Sequence, residues 1–300
     1  MYADIQVAFS PQSLILLNGI LAGMIFGVSM GLRRDDFVRV LRQPHAPAAG
    51  LVAQFLLLPA ATCLATIAFA VPAELALGMI LIASCPGGTF SNIMTWLGRA
   101  SVPVSVSMTA VSSLAAIVMT PLNFGLYAQL NPATRELLRG ISLEPMNILL
   151  LVALVLVLPM LLGMAVGKRH PEWATRAEKP MRAVTLLVFL CFVVIAFSRN
   201  QQLFMEYADR ILLLVALQNA GALLLGDLAG RVIKLPQAER RAVTMEVGIQ
   251  NSALGLSIIF TFFPQAGGMM LIAGFWSFWH LAAGLCLAFF WSRSAETVHA

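Results

Sequence analysis

One carboxylate lies deep in an apolar stretch of this sequence. It is Glu246, in the string Met245-Glu246-Val247-Gly248-Ile249-Gln250-Asn251-Ser252. An acid inside hydrocarbon is costly and is a functional candidate by default. The plain alternative is a residue nearer the interface, since Arg240 and Arg241 are one to two turns away. Gln250 follows Glu246 by one helical turn, so the two share a face wherever that stretch is helical. A second polar string reads Ser84-Cys85-Pro86-Gly87-Gly88-Thr89-Phe90-Ser91-Asn92-Ile93-Met94. Shortly after it, Ser105 and Thr109 are one turn apart, and Ser112 and Ser113 continue the stripe. Taken alone, such a stripe also suits helix packing or bonds back to its own helix. Beside Ser91 and Asn92 it suggests more. Hydroxyl and amide oxygens around a single carboxylate make a dehydrated cage of low charge. That cage suits Na+ better than a divalent ion, which attracts more carboxylates.

Three further polar residues stand in apolar surroundings. Gln54 needs partners there, and its spacing fits an interhelical hydrogen bond and a cation ligand equally. Asp227 is expected to pair with Arg231, its i+4 neighbour. His280, among Trp276, Trp279 and small residues, reads as a packing or hydrogen-bonding residue before a ligand.

The elements that must position these groups are membrane helices. The chain has 300 residues, 59% hydrophobic and 11% charged, with a mean hydropathy of +0.86. A soluble domain carries about 25% charged residues. Nine apolar segments of roughly spanning length run at 12–31, 46–70, 74–98, 101–126, 147–167, 182–198, 210–231, 241–262 and 267–292. The sixth is short and extendable at either end. The stretch before residue 12 has no Lys or Arg. Without the basic region of a secretory signal, the first segment is expected to be a retained helix.

Both polar strings fall inside apolar segments, the third and the eighth. An unpaired backbone group in a bilayer costs several kcal/mol, so such breaks survive only around a cavity or an ion. Two of them in corresponding halves of a chain point to a secondary transporter with its site between them. Segments 12–126 and 182–292 each hold four helices, with the fifth segment between them. The third helix of each half carries the break, in opposite orientation, as in an inverted repeat.

Loop charge orients the bundle. Alternating the loops across nine spans puts fifteen Lys and Arg on one side and four on the other. The rich side is cytoplasmic, which places the N-terminus outside and the C-terminus inside. The net charge of +5 does not suggest nucleic acid, because the basic residues are dispersed in short loops. Cys63, Cys85, Cys191 and Cys286 lie in apolar segments without metal spacing and read as small buried hydrophobes.

The strings Cys-Pro-Gly-Gly-Thr-x-Ser-Asn at 85–92 and Glu-Val-Gly-x-Gln-Asn-Ser at 246–252 resemble the two signature motifs of the bile acid:sodium symporter family. The resemblance runs from about residue 17 to 290 and fits the nine-helix form of the family. It implies an all-α membrane protein of inverted repeats, with two discontinuous helices crossing at mid-membrane. It implies a core domain of 46–126 and 210–292 and a panel domain of 12–31 and 147–198. Carried over by motif, one sodium site comprises Ser91, Asn92, Ser105, Thr109 and Glu246. The other comprises Gln54, Glu246 and Gln250, with the carbonyls of Val247 and Ile249. Thr89, Asn251 and His280 match the family's substrate contacts. Leu281 stands where a polar side chain can occur in the family.

The resemblance implies symport of an organic anion with two Na+, by alternating access. The family spans bile acids and small carboxylates such as pantoate and pyruvate. The Ala/Arg-rich composition looks bacterial, which favours a small organic acid or an amphipathic anion at a bacterial inner membrane. Three other classes compete. A cation/proton antiporter would want paired carboxylates on a broken helix. An enzyme would need a second acid, a zinc set or a nucleophile elbow, and none is found. A non-transporting binding protein would not need two cation cages.

Overall fold

The computed structural model describes residues 11–32, 38, 40–139, 145–199 and 201–296. Arg33, Arg34 and Arg39 of the first basic loop lie outside the described residues, as does the stretch before residue 11. Every regular element among the described residues is a helix. Helix α1 spans Pro11–Ser29 and α2 spans His45–Ala68. The third apolar segment is two helices, α3 (Ala73–Ser84) and α4 (Phe90–Leu97). There follow α5 (Val102–Leu130), α6 (Pro132–Arg139) and α7, which runs from Pro145–Val152 into Leu158–Arg169. Then come α8 (Pro171–Arg199) and α9 (Gln201–Val232). The eighth segment is again two helices, α10 (Gln237–Gly248) and α11 (Ser252–Phe262), and α12 spans Gly267–Glu296.

The sixth segment extends back to residue 171 despite Pro180, and the seventh starts at 201. Among the described residues, five stretches are long and apolar enough to cross a membrane: His45–Ala68, Val102–Leu130, Leu150–Arg169, Met205–Val232 and Gly267–Arg293. Gln12–Gly27, Ala73–Ser84 and Ser252–Phe262 are apolar but shorter.

Local chemistry explains where the helices deviate. Helix α3 stops at Cys85, which is extended (φ −73°, ψ 156°). The residue before a proline is pushed out of the helical region, and Pro86 follows. Helix α2 contains a π turn at Ala53–Leu57. Pro59 has no N–H to give the Phe55 carbonyl, so the ladder must change there. Asn123 Nδ2 of α5 donates to that carbonyl at 2.6 Å instead. The same device recurs in α7, where the π turn Ala153–Val157 precedes Pro159.

Helix α1 packs against α7, α8 and α11. Helix α3 lies among α2, α5 and α12, and α10 lies among α2, α4, α5 and α9. Glu74, which the sequence reading passed over, is 8% exposed and accepts from the Gly268 N–H at 2.8 Å. It satisfies a donor at the start of α12 that has no partner within the helix. Large apolar side chains such as Leu154, Leu187, Leu213 and Phe290 are exposed on the outside of the bundle. Cys63 and Cys85 are buried, but Cys191 and Cys286 are exposed. That corrects the expectation of four buried thiols. An apolar outer face tolerates a small apolar side chain as readily as the interior does.

Candidate functional site

The two breaks meet each other. The Gly88 N–H donates to the Ile249 carbonyl at 2.6 Å, and the Asn251 N–H donates to the Pro86 carbonyl at 2.9 Å. Gly87 and Gln250 form an isolated antiparallel bridge. Backbone groups stranded by each break are thus satisfied by the other, which answers the accounting that a buried segment demands. Glycine makes the approach possible. A Cβ at Gly87 would stand 2.2 Å from Glu246 Oε1, and one at Gly88 would stand 2.9 Å from the Gln250 carbonyl oxygen.

Glu246 ends up fully buried at this crossing. Ser91 Oγ donates to its Oε2 at 2.5 Å, and Ser105 Oγ lies 3.4 Å from the same oxygen. Thr109 Oγ1 stands 2.9 Å from Oε1 and 3.0 Å from Oε2. It also stands 3.0 Å from the Ser105 carbonyl and 3.4 Å from Asn92 Oδ1. A hydroxyl has one hydrogen, so Thr109 can donate to one of these four acceptors at a time. Lone pairs in the cluster therefore outnumber the hydroxyl hydrogens, the imbalance that a cation relieves, while the buried Asn92 Nδ2 has no hydrogen-bond partner among the described residues. Thr95 Oγ1 adds a contact to Ser105 Oγ at 3.2 Å. The sequence reading missed Thr95, although it follows Ser91 by one turn.

A second group forms around Gln54, inside the π turn of α2. Its Nε2 donates to the Cys85 carbonyl at 2.8 Å and to Gln250 Oε1 at 2.6 Å. Gln250 Nε2 in turn donates to the Val247 carbonyl at 2.8 Å. Gln54 Oε1 is buried with no hydrogen-bond partner among the described residues. The condition for Gln250 to share a helix face with Glu246, a helix continuing through both, is not met. Helix α10 ends at Gly248, and Ile249 is extended (φ −108°, ψ 91°). The backbone turns there, so Gln250 points to Gln54 and not along the face of Glu246. The carbonyls of Val247 and Ile249 each already accept one hydrogen bond, and each keeps a second lone pair.

Thr89, Asn251 and His280 stand in three different settings. Thr89 is half-buried and lines a narrow cavity of about 10 Å³ with Ile25, Ser29, Met160, Thr109 and Ser113. That cavity lies between α1 and α7 on one side and Thr89 and α5 on the other. Asn251 caps α11, its Oδ1 accepting from the Leu254 N–H at 3.1 Å, which leaves its Nδ2 as a donor. His280 is fully buried, and neither ring nitrogen has a hydrogen-bond partner among the described residues. Its ring stands edge-on to Trp276, with centroids 6.1 Å apart. Gly284, one turn further along α12, packs on Ile249 and Met94. His280 therefore lies within about a turn of the crossing, although it does not line the Thr89 cavity.

Asp227 pairs with Arg231 at 2.5 Å, as expected from the sequence, and also with Arg240 of α10 at 3.1 Å. Among the described residues no three His, Cys, Asp or Glu side chains gather as a metal site would require. Glu246 is thus surrounded by neutral oxygens, a setting for a monovalent cation more than for a divalent one.

Comparison with known proteins identifies a family. The model of the sodium bile acid symporter family matches residues 19–207, which include the first break. A protein of Bacillus subtilis described as an uncharacterized sodium-dependent transporter, YocS, is 29% identical over 91% of this chain and 82% of its own length. A probable sodium/metabolite cotransporter of Arabidopsis thaliana chloroplasts, BASS1, is 31% identical over 90% of this chain and 65% of its own. A sodium-dependent organic anion transporter of Mus musculus is 30% identical over 58% of this chain and 44% of its own. The chain thus spans less than two thirds of the plant and mouse proteins. With the family model covering most of its length, and two interlocked breaks around one acid, the chain belongs to the sodium bile acid symporter family.

Proposed function

We propose that this protein is a sodium-coupled symporter of an organic anion, working by alternating access in a bacterial inner membrane. The observation that carries the proposal is the oxygen cluster on Glu246 at the crossing, with more lone pairs than hydroxyl hydrogens. The unpartnered Gln54 Oε1 supports a second ion beside it. Two Na+ would bind there. One would take Ser91, Asn92, Ser105, Thr109 and Glu246. The other would take Gln54, Glu246, Gln250 and the second lone pairs of Val247 and Ile249. The ions fix the crossing in one geometry, and that geometry presents Thr89, Asn251 and the start of α11 to the anion. Half-helix N-termini favour a carboxylate. Two Na+ with one monoanion carry one net charge inward, which adds about 2.3 kcal/mol of drive per 100 mV.

The moving parts would be a core of 46–126 and 210–292 against a panel of 12–31 and 147–198. The packing of α1 on α7 and α8 supports this division, and the Thr89 cavity lies along its seam. Nine spans, with two of them broken, leave the N-terminus outside. In a background with the native cysteines replaced, a cysteine added at the N-terminus should label from outside in intact cells. Labelling only after permeabilisation overturns that orientation.

Counterflow of a labelled carboxylate in proteoliposomes, in Na+ and in K+, tests the function. Sodium-dependent exchange is expected, and proton-driven exchange indifferent to Na+ overturns the proposal. Coupling gives a finer test. Anion should bind about 5–150-fold more tightly in Na+ than in K+, and Na+ should gain the same factor from anion. Gln54→Ala should shrink that factor. His280→Ala should weaken anion binding in both salts and leave the ratio alone. Identical behaviour of the two variants would remove the division into cation and anion residues.

A further inference from the structure

Each break carries the same unassigned device, and one copy of it involves no residue yet given a role. At the first break, Gln54 Nε2 reaches from the full-length helix α2 to the Cys85 carbonyl, just past the end of α3. At the second, Asn219 Nδ2 reaches from the full-length helix α9 to the Gly248 carbonyl, at the end of α10, at 2.7 Å. Asn219 is 1% exposed, and its Oδ1, like Gln54 Oε1, has no partner among the described residues. The sequence held a signal for it, two adjacent amides at Gln218-Asn219 in the apolar run of α9.

We propose that Asn219 is a positioning residue for the cation site at the second break. Rotation of the last peptides of α10 is what aims the Val247 and Ile249 carbonyls. Gly248 lies between those two residues, and its carbonyl is the one that Asn219 holds. Without that bond, the free end of α10, where the helical ladder stops, can turn and withdraw both oxygens from the ion. Outer partners of this kind typically change metal affinity about 10–100-fold when removed. The inference rests on the sodium-coupled function proposed above.

The experiment is thermal unfolding of the intact chain in detergent over a series of Na+ concentrations, with K+ holding ionic strength constant. Asn219→Leu keeps the number and branching of the side-chain heavy atoms and removes the donor. Asn219→Ser is the milder variant, with a hydroxyl that can still donate. Asn131→Ala is the control, because Asn131 is also a buried amide, bonded to Thr66 Oγ1 at 3.1 Å, away from the breaks. We expect the half-stabilising Na+ concentration to rise about tenfold or more in Asn219→Leu, and by less in Asn219→Ser. In Asn131→Ala the melting temperature should fall in both salts with the Na+ midpoint unchanged. Lower melting with an unmoved Na+ midpoint in both Asn219 variants overturns the positioning role. A wild type indifferent to Na+ overturns the sodium reading and this inference together.

Discussion

Glu246→Gln should abolish sodium dependence while leaving a protein that inserts and folds. At an effective dielectric of 20, a unit charge 4 Å from another is worth about 4 kcal/mol, or on the order of 10³-fold in affinity. That charge is the only one close to either cation position in the proposed sites. The amide keeps the shape of the carboxylate and one carbonyl oxygen. Ser91 and Thr109 hydroxyls can rotate to accept from its NH2, so no buried polar group is stranded. Removing a buried charge also lowers desolvation cost. The measurement pairs Na+-dependent melting in detergent with Na+-driven uptake in proteoliposomes. Both responses should vanish, with melting in K+ at or above that of the wild type. Wild-type uptake in Glu246→Gln would make this acid a structural residue and remove the basis of both cation sites.

Gly87→Ala should damage both the stability of the crossing and its response to sodium. Its Cβ would stand 2.2 Å from Glu246 Oε1 and 2.6 Å from the carboxyl carbon. The backbone cannot easily retreat, because hydrogen bonds at Gly88 and Asn251 clamp the crossing on both sides. Overpacking of this kind typically costs about 1–3 kcal/mol, and here the group displaced is the one charged ligand. A lower melting temperature and a lost Na+ response are both expected. The double variant Gly87→Ala/Glu246→Ala separates them. It makes room for the methyl, so much of the lost stability should return, a coupling that a double-mutant cycle reads directly. The Na+ response should not return. Wild-type melting and Na+ response in Gly87→Ala would mean that the two breaks do not approach as closely as the structure has them.

The sequence determined the elements of this protein because hydropathy and helix breaking are local properties. Apolar runs of about spanning length specify helices. Pro86 and the two glycines after it stop α3, and polar residues in those runs are costly enough to mark themselves. Glu246, Gln54 and the stripe from Ser105 were legible for that reason, as was the Asp227–Arg231 pair, whose partners share one helix face. The family motifs implied the division of labour among them that the proposed function adopts.

The partners across the bundle were decided only by tertiary structure. Ser91 meets Glu246 across 155 residues of chain and Gln54 meets Gln250 across 196. No periodicity spans such separations. Helical spacing could not place Gln250, because the chain leaves the helix at Gly248 to bridge to the other break. That Glu74 bonds Gly268 and Asn219 bonds Gly248 was not legible for the same reason. An amide or carboxylate in an apolar run announces that it needs a partner. Which backbone group stands within 3 Å of it depends on how the helices pack.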